Sequence, residues 1–264
     1  MPFLTAASRR IAYERIDSAN GGRPTLVFLH EGLGSIAMWR NFPGELARAA
    51  HCNAVVYSRY GYGDSDPLAE PRTVRYMHDE ALVALPELLD KLAIDRPILI
   101  GHSDGGSIAL IYAGAGARPV TAVVTLAAHV LVEDISVASI AAAKLTYETK
   151  DLRAKLARHH ADVDSAFWGW NRIWLAPEFR HWNIEEYLPR IACPVLAIQG
   201  EDDEYGTMEQ MRRIGAQVAD VELLQLDACR HAPHTDQPEA VIEAITRFVS
   251  RVGDRVGDRP RFPA

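Results

Sequence analysis

The sequence predicts an α/β fold in which a mostly parallel sheet carries helices on both faces and a helical cap is inserted between two of its strands. Three observations carry this expectation. Short apolar, β-branched runs alternate with longer helical stretches through the first half of the chain. The alternation returns after residue 190, and between the two parts, from about Val132 to Arg190, the strand signal disappears.

Leu26–His30 (LVFLH) is the first run, followed by Ala54–Tyr57, Pro97–Ile100 and Ala122–Leu126. Such runs suit strands of a parallel sheet, which helices cover on both sides and which therefore have no polar face. Met38–Ala50, Met77–Leu92 and Ser107–Ala117 read as helices. Later, Val195–Ile198 and Val221–Leu226 read as strands, and Pro238–Val252 as a closing amphipathic helix. The expected division is a core of residues 1–131 and 191–252, a helical cap of 132–190, and a mobile Gly/Pro/charge tail of 253–264.

A chain of 264 residues has room for one sizeable domain with an insertion. Its 48% hydrophobic and 24% charged residues are ordinary for a soluble globular protein. The net charge of −7 argues against a surface built for nucleic acid or anionic lipid. No stretch approaches the roughly eighteen apolar residues that span a bilayer, and Met1–Arg10 lacks a secretory apolar region. Cys52, Cys193 and Cys229 are scattered and show no zinc spacing. A reducing cytoplasm is the simple reading.

Gly101-His102-Ser103-Asp104-Gly105 matches G-x-S-x-G, with a strand (ILI) before it and a helix (SIALIYA) after it. A serine on so sharp a strand-to-helix turn takes a strained backbone, and small neighbours two residues away let the turn close. Its hydroxyl then stands clear at a helix N-terminus, where free N–H groups and positive potential favour a developing oxyanion. Ser103 is the candidate nucleophile. A bare Gly/Ser turn is the alternative that the flanking strand and helix argue against.

GHSDGG after ILI, with SRYGYGDSDP at Ser58–Pro67 and HEGLGS at His30–Ser35, resembles the α/β-hydrolase family from about Leu26 to Val249. The likeness is closest to small capped members that include meta-cleavage-product hydrolases, carboxylesterases, perhydrolases and proline iminopeptidases. Dehalogenases and epoxide hydrolases of that family carry Asp at the nucleophile position, so Ser103 argues against their chemistry.

The resemblance implies the order Ser, acid, His. His231 in CRHAPHTDQPEAV has Pro238 seven residues on, as in the family's GH…P segment, although Arg230 replaces the usual glycine. His234 is the competitor, with the proline only four residues on; otherwise it is a polar residue at the pocket rim. The family's Gly-x-x-Asp spacing after VLAI points to Asp203, with Glu201, Asp202, Glu133 and Asp134 as rivals. The implied oxyanion donors are the N–H of Asp104 and, from the HEGLG loop, that of Gly32, with Leu33 second. Glu31 replaces a family glycine and is expected to point away from the hole or to meet substrate. His30, His102, the Asp104 carboxylate, Arg59, Asp64 and Ser65 read as structural.

The cap holds four of the five tryptophans: Trp168, Trp170, Trp174 and Trp182. They either pack the cap onto the core or wall a substrate pocket, for which Trp168, Trp170 and Trp174 are the candidates, with His234 as a further substrate contact. Arg172, Arg180 and His181 are weaker candidates as carboxylate contacts. The implied function is hydrolysis of a small carboxylic ester or thioester through an acyl-enzyme, with no metal or organic cofactor. Two alternatives stay open: C–C hydrolysis of a vinylogous 1,5-diketone, and a small-molecule receptor that has lost turnover. The sequence leaves a homo-oligomer open.

Overall fold

The computed structural model describes residues 1–18 and 24–257. In chain order its elements begin with β1 (Phe3–Ala6), β2 (Arg9–Ile16), β3 (Leu26–Leu29), α1 (Phe42–Ala50), β4 (Ala54–Tyr57), α2 (Tyr76–Asp79) and α3 (Leu85–Lys91). They continue with β5 (Ile98–His102), α4 (Asp104–Ala115), β6 (Ala122–Leu126), α5 (Asp134–Thr149), α6 (Leu152–Leu156) and α7 (Val163–Trp174). The chain closes with β7 (Val195–Gly200), α8 (Met208–Gln217), β8 (Val221–Leu226), α9 (Pro233–Asp236) and α10 (Pro238–Gly257). One eight-stranded sheet runs in the order β1-β2-β4-β3-β5-β6-β7-β8. All six predicted strands are present and pair in parallel.

Side chains along each strand point alternately to opposite faces, and the core divides accordingly. Leu26 and Phe28 face α1 and α10, where Phe42, Leu46, Ile245 and Phe248 pack. Val27, Leu29 and Leu99 face α3, α4 and the aromatic residues of the β6–β7 connection. Strand β3 leads to β4 on one side and borders β5 on the other. The direction in which successive strands are added therefore reverses at β3, and a crevice opens beyond the carboxyl ends of the parallel neighbours β3 and β5.

Several elements depart from expectation. The β1–β2 hairpin was not foreseen, because β2 is half-exposed and rich in charge and its turn, Ala7-Ser8, carries positive φ (48° and 60°) without Gly or Asn. The helix expected at Met77–Leu92 is interrupted by a π-helical stretch, Glu80–Ala84, just before Pro86. Proline has no N–H and collides with the carbonyl four residues back, so the preceding turn widens. The tail expected at 253–264 is helical as far as Gly257; its remainder lies outside the described residues. No helix among the described residues is long and apolar enough to cross a membrane.

Candidate active site

Strand β5 ends at His102 and α4 starts at Asp104, so the reversal of the chain falls on Ser103, with φ 52° and ψ −118°. Such a conformation costs about 1–3 kcal/mol. The glycines on either side make it feasible: a Cβ on Gly101 would stand 2.3 Å from the Gly105 carbonyl oxygen, and one on Gly105 would stand 2.0 Å from that of Leu29. Gly105→Ala is therefore expected to destabilise the fold by about 3 kcal/mol or more. Urea unfolding measures this, and wild-type stability would contradict the close packing of α4 on β3.

His231 follows β8. Its Nε2 lies 3.0 Å from Ser103 Oγ, and its Nδ1–H donates to Asp203 Oδ1 at 2.7 Å. A carboxylate only accepts, so the bond to Asp203 leaves Nε2 free to accept the serine proton. Burial works against the Asp203 charge, but the bond and charge of His231 and the Tyr205 N–H (2.8 Å) outweigh it and hold the carboxyl below its ordinary pKa.

The rivals for the acid are placed elsewhere. Glu133 accepts from the Thr207 N–H at 2.9 Å and from Gln210 Nε2 at 2.7 Å, tying down the start of α8. Asp134 pairs with Arg180, Glu201 accepts from Gln225, and Asp202 is exposed. His234 is buried beneath the site rather than at its rim, with Trp39, Phe42 and His102 against its ring.

Asp104 is the first residue of α4, so its N–H has no acceptor within the helix. Its carboxylate turns inward and accepts from Tyr76 Oη at 2.7 Å, and Tyr76 in turn accepts from Trp174 Nε1 at 3.0 Å. Beside it, Arg59 donates to the Glu31 carbonyl at 2.9 Å, and the His30 ring bridges that same carbonyl (2.7 Å) and the Arg59 N–H (2.9 Å). His30 and Arg59 thus brace the loop carrying Gly32 and Leu33.

A cavity of about 320 Å³ lies over Ser103. Gly32 and Leu33 form one side, Ile140, Trp170 and Trp174 another, and Glu204, Arg230 and Asp236 reach it as well. Trp170 and Trp174 share a face of α7 because they are four residues apart. Trp168 falls on another face, partly exposed, beneath the guanidinium of Arg172 (5.3 Å), and does not line this cavity. Arg180 and His181 do not reach it either.

Several lining residues escaped the sequence reading, His129, Tyr205 and Glu204 among them. His129 lies three residues beyond the carboxyl end of β6, where ligand sites gather in such sheets, and that position was its only signal. Its ring is 5.7 Å from that of His231. Burial, then the charge of His231, push His129 down to about 4, and burial, then the charge of His102, push His234 down to about 3.

Both histidines are neutral when folded, whereas the unfolded chain takes up their protons as pH falls through 6.5. Their contribution is complete above pH 6.5 and lost as pH falls toward 4 for His129 and 3 for His234. His234→Leu is expected to reduce the slope of unfolding free energy against pH by about 1.4 kcal/mol per pH unit in that window. Urea titrations at several pH values measure it, and an unchanged slope would count against a neutral His234.

A serine, an imidazole and a carboxylate in one hydrogen-bonded line at the crevice of this sheet define a hydrolase of the α/β type. Residues 26–244 match the alpha/beta hydrolase family, and the chain belongs to it. Proline iminopeptidase of Lactobacillus helveticus is 30% identical over 112 residues, 42% of this chain and 36% of that protein. The chain thus matches only about a third of that curated relative's length. Among solved structures, a carboxylesterase from the thaumarchaeon Nitrososphaera gargenis superposes with a TM-score of 0.78 at 21% identity, over 96% of this chain and 100% of that one. The enol-lactonase of Burkholderia xenovorans LB400 gives 0.75 at 18%, over 94% and 100%. VinJ gives 0.76 at 22%, over 95% and 98%. At these identities the likeness establishes the fold.

Proposed function

We propose that this protein is a serine hydrolase that cleaves a small carboxylic ester or thioester through an acyl-enzyme. The carrying observation is the line from Ser103 Oγ through His231 (3.0 Å) to Asp203 (2.7 Å) at the floor of a cavity. In this reading His231 Nε2 takes the hydroxyl proton as Oγ attacks the substrate carbonyl. Asp203 fixes the ring and stabilises the imidazolium that forms. The N–H groups of Asp104 and Gly32, with Leu33 second, hold the oxyanion. The bond to the leaving alcohol or thiol breaks as His231 returns the proton to it. Water then gives its proton to His231, attacks the acyl carbon, and the acid leaves as the proton returns to Ser103 Oγ.

Residues 132–190 serve as the cap, and Trp170 and Trp174 wall the acyl side of the cavity. The size of the cavity favours small substrates. A fluorophosphonate probe followed by peptide mass spectrometry tests the assignment, with the adduct expected on Ser103. Turnover of short acyl esters or thioesters is expected alongside it. An unlabelled Ser103 would overturn the enzyme reading in favour of a receptor, and turnover of ring-fission dienes alone would replace ester hydrolysis with C–C cleavage.

A further inference from the structure

Glu31 stands where related loops carry glycine, and the chemistry above gives it no part. Its carboxylate folds back over Gly34, where a Cβ would lie 2.4 Å from Oε2, so only glycine leaves it room. From there Oε2 lies 3.3 Å from His102 Nδ1. On the opposite edge of that ring, Nε2 is 2.8 Å from the main-chain oxygen of His231. A carbonyl only accepts, so Nε2 bears a proton. Nδ1 then faces a carboxylate, and a lone pair there would be repelled; a second proton turns the contact into a charge-assisted bond.

We propose that the Glu31 carboxylate and the His102 imidazolium form a charged clasp that positions the His231 loop against the oxyanion loop, an inference that rests on the serine-hydrolase reading above. Three segments meet in it, because His102 also directly precedes Ser103. Both residues are positioning residues, acting through the His231 main chain.

The surroundings favour the charged state. Around the His102 ring stand His234 (4.8 Å between rings), His231 (5.2 Å) and Trp39 (6.3 Å). His234 is held neutral by burial and does not compete for the carboxylate. Burial opposes the charge on each partner of the clasp, but their mutual hydrogen bond outweighs it, and the Asp203 charge also favours the imidazolium. His102 is held above its ordinary pKa and Glu31 below its own. The far side of His231 has a weaker brace. Its N–H donates to Glu204 Oε2 at 3.2 Å, and Glu204 pairs with Arg230 at 2.8 Å. Arg230 is 68% exposed, where ion pairs contribute little.

The test uses Glu31→Leu and the near-isosteric Glu31→Gln in the full chain. Steady-state kinetics on a p-nitrophenyl ester and nitrogen NMR of the histidine rings provide the readouts. Glu31→Leu is expected to lower kcat about 10- to 100-fold with KM within about threefold, since a small misplacement of the base costs that much. Glu31→Gln is expected to recover part of the loss, because its amide N–H can donate to Nδ1 of a neutral ring. In the wild type both His102 nitrogens carry protons near neutral pH; in Glu31→Gln only Nε2 does.

A neutral His102 in the folded wild type would overturn the clasp, as would wild-type kcat in Glu31→Leu. A change confined to KM would also overturn it and make Glu31 a substrate contact. Melting temperatures separate positioning from misfolding, and Glu31→Gln keeps the test decisive if Glu31→Leu folds poorly. The NMR readout needs no turnover, so it fails independently of the probe labelling of Ser103.

Discussion

Ser103→Ala is expected to lower kcat by roughly 10⁴- to 10⁶-fold while leaving the fold and substrate binding in place. The variant removes one oxygen, the one lying 3.0 Å from His231 Nε2. No neighbouring hydroxyl takes its place: Ser107 Oγ is turned into the core, where it donates to the His129 carbonyl at 2.6 Å. Alanine keeps the positive φ of 52°, so the strain of the elbow is unchanged and the melting temperature should move little. Residual turnover would come from the oxyanion donors and from binding alone. Single-turnover kinetics with an activated ester measure the loss. A variant retaining more than about a tenth of wild-type activity would show that another group does the chemistry.

Asp203→Asn is expected to cost roughly 10⁴-fold in kcat. Asp203 Oδ1 receives three N–H groups, from His231 (2.7 Å), Tyr205 (2.8 Å) and Gly206 (3.2 Å), while Oδ2 faces Gln199 Nε2 at 3.3 Å. Asparagine meets two obstacles there. If its oxygen keeps the Oδ1 position, the imidazolium loses its counter-charge and the new amide N–H₂ confronts the Gln199 donor. If the amide turns, its N–H₂ faces Nδ1 and forces the ring into the tautomer that cannot take the serine proton. Both raise the barrier without removing a contact to substrate, so the loss should appear in kcat with KM little changed. A loss of less than about tenfold would exclude Asp203 as the orienting acid.

Much of this site was legible because local chemistry dictates it. The elbow needs Gly101 and Gly105 around Ser103 wherever a strand turns abruptly into a helix, and those residues are adjacent in the chain. His231 and Asp203 were reachable through the resemblance to the family's segments after two later strands, which fits a parallel sheet whose carboxyl ends all open on one side. The family spacing pointed to Asp203 over Glu201, Asp202, Glu133 and Asp134, and only the partners of each carboxylate show how differently they are engaged. Glu133, one of the two alternatives after β6, is occupied at the start of α8. Among the cap aromatics, helical periodicity separates Trp168 from Trp170 and Trp174 but does not say which face looks down on the serine.

The six parallel strands, the helices between them and the sharp turn at Ser103 were legible in the sequence alone, because burial on both faces and backbone sterics act within a few residues of each other. The contacts that set charge states were decided only by the tertiary structure. Glu31 meets His102 across 71 positions, and His102 meets His231 across 129. Whether a buried imidazole holds its proton depends on which dipoles and charges surround it in space. In this chain those neighbours come from distant segments that meet at the carboxyl ends of the parallel strands.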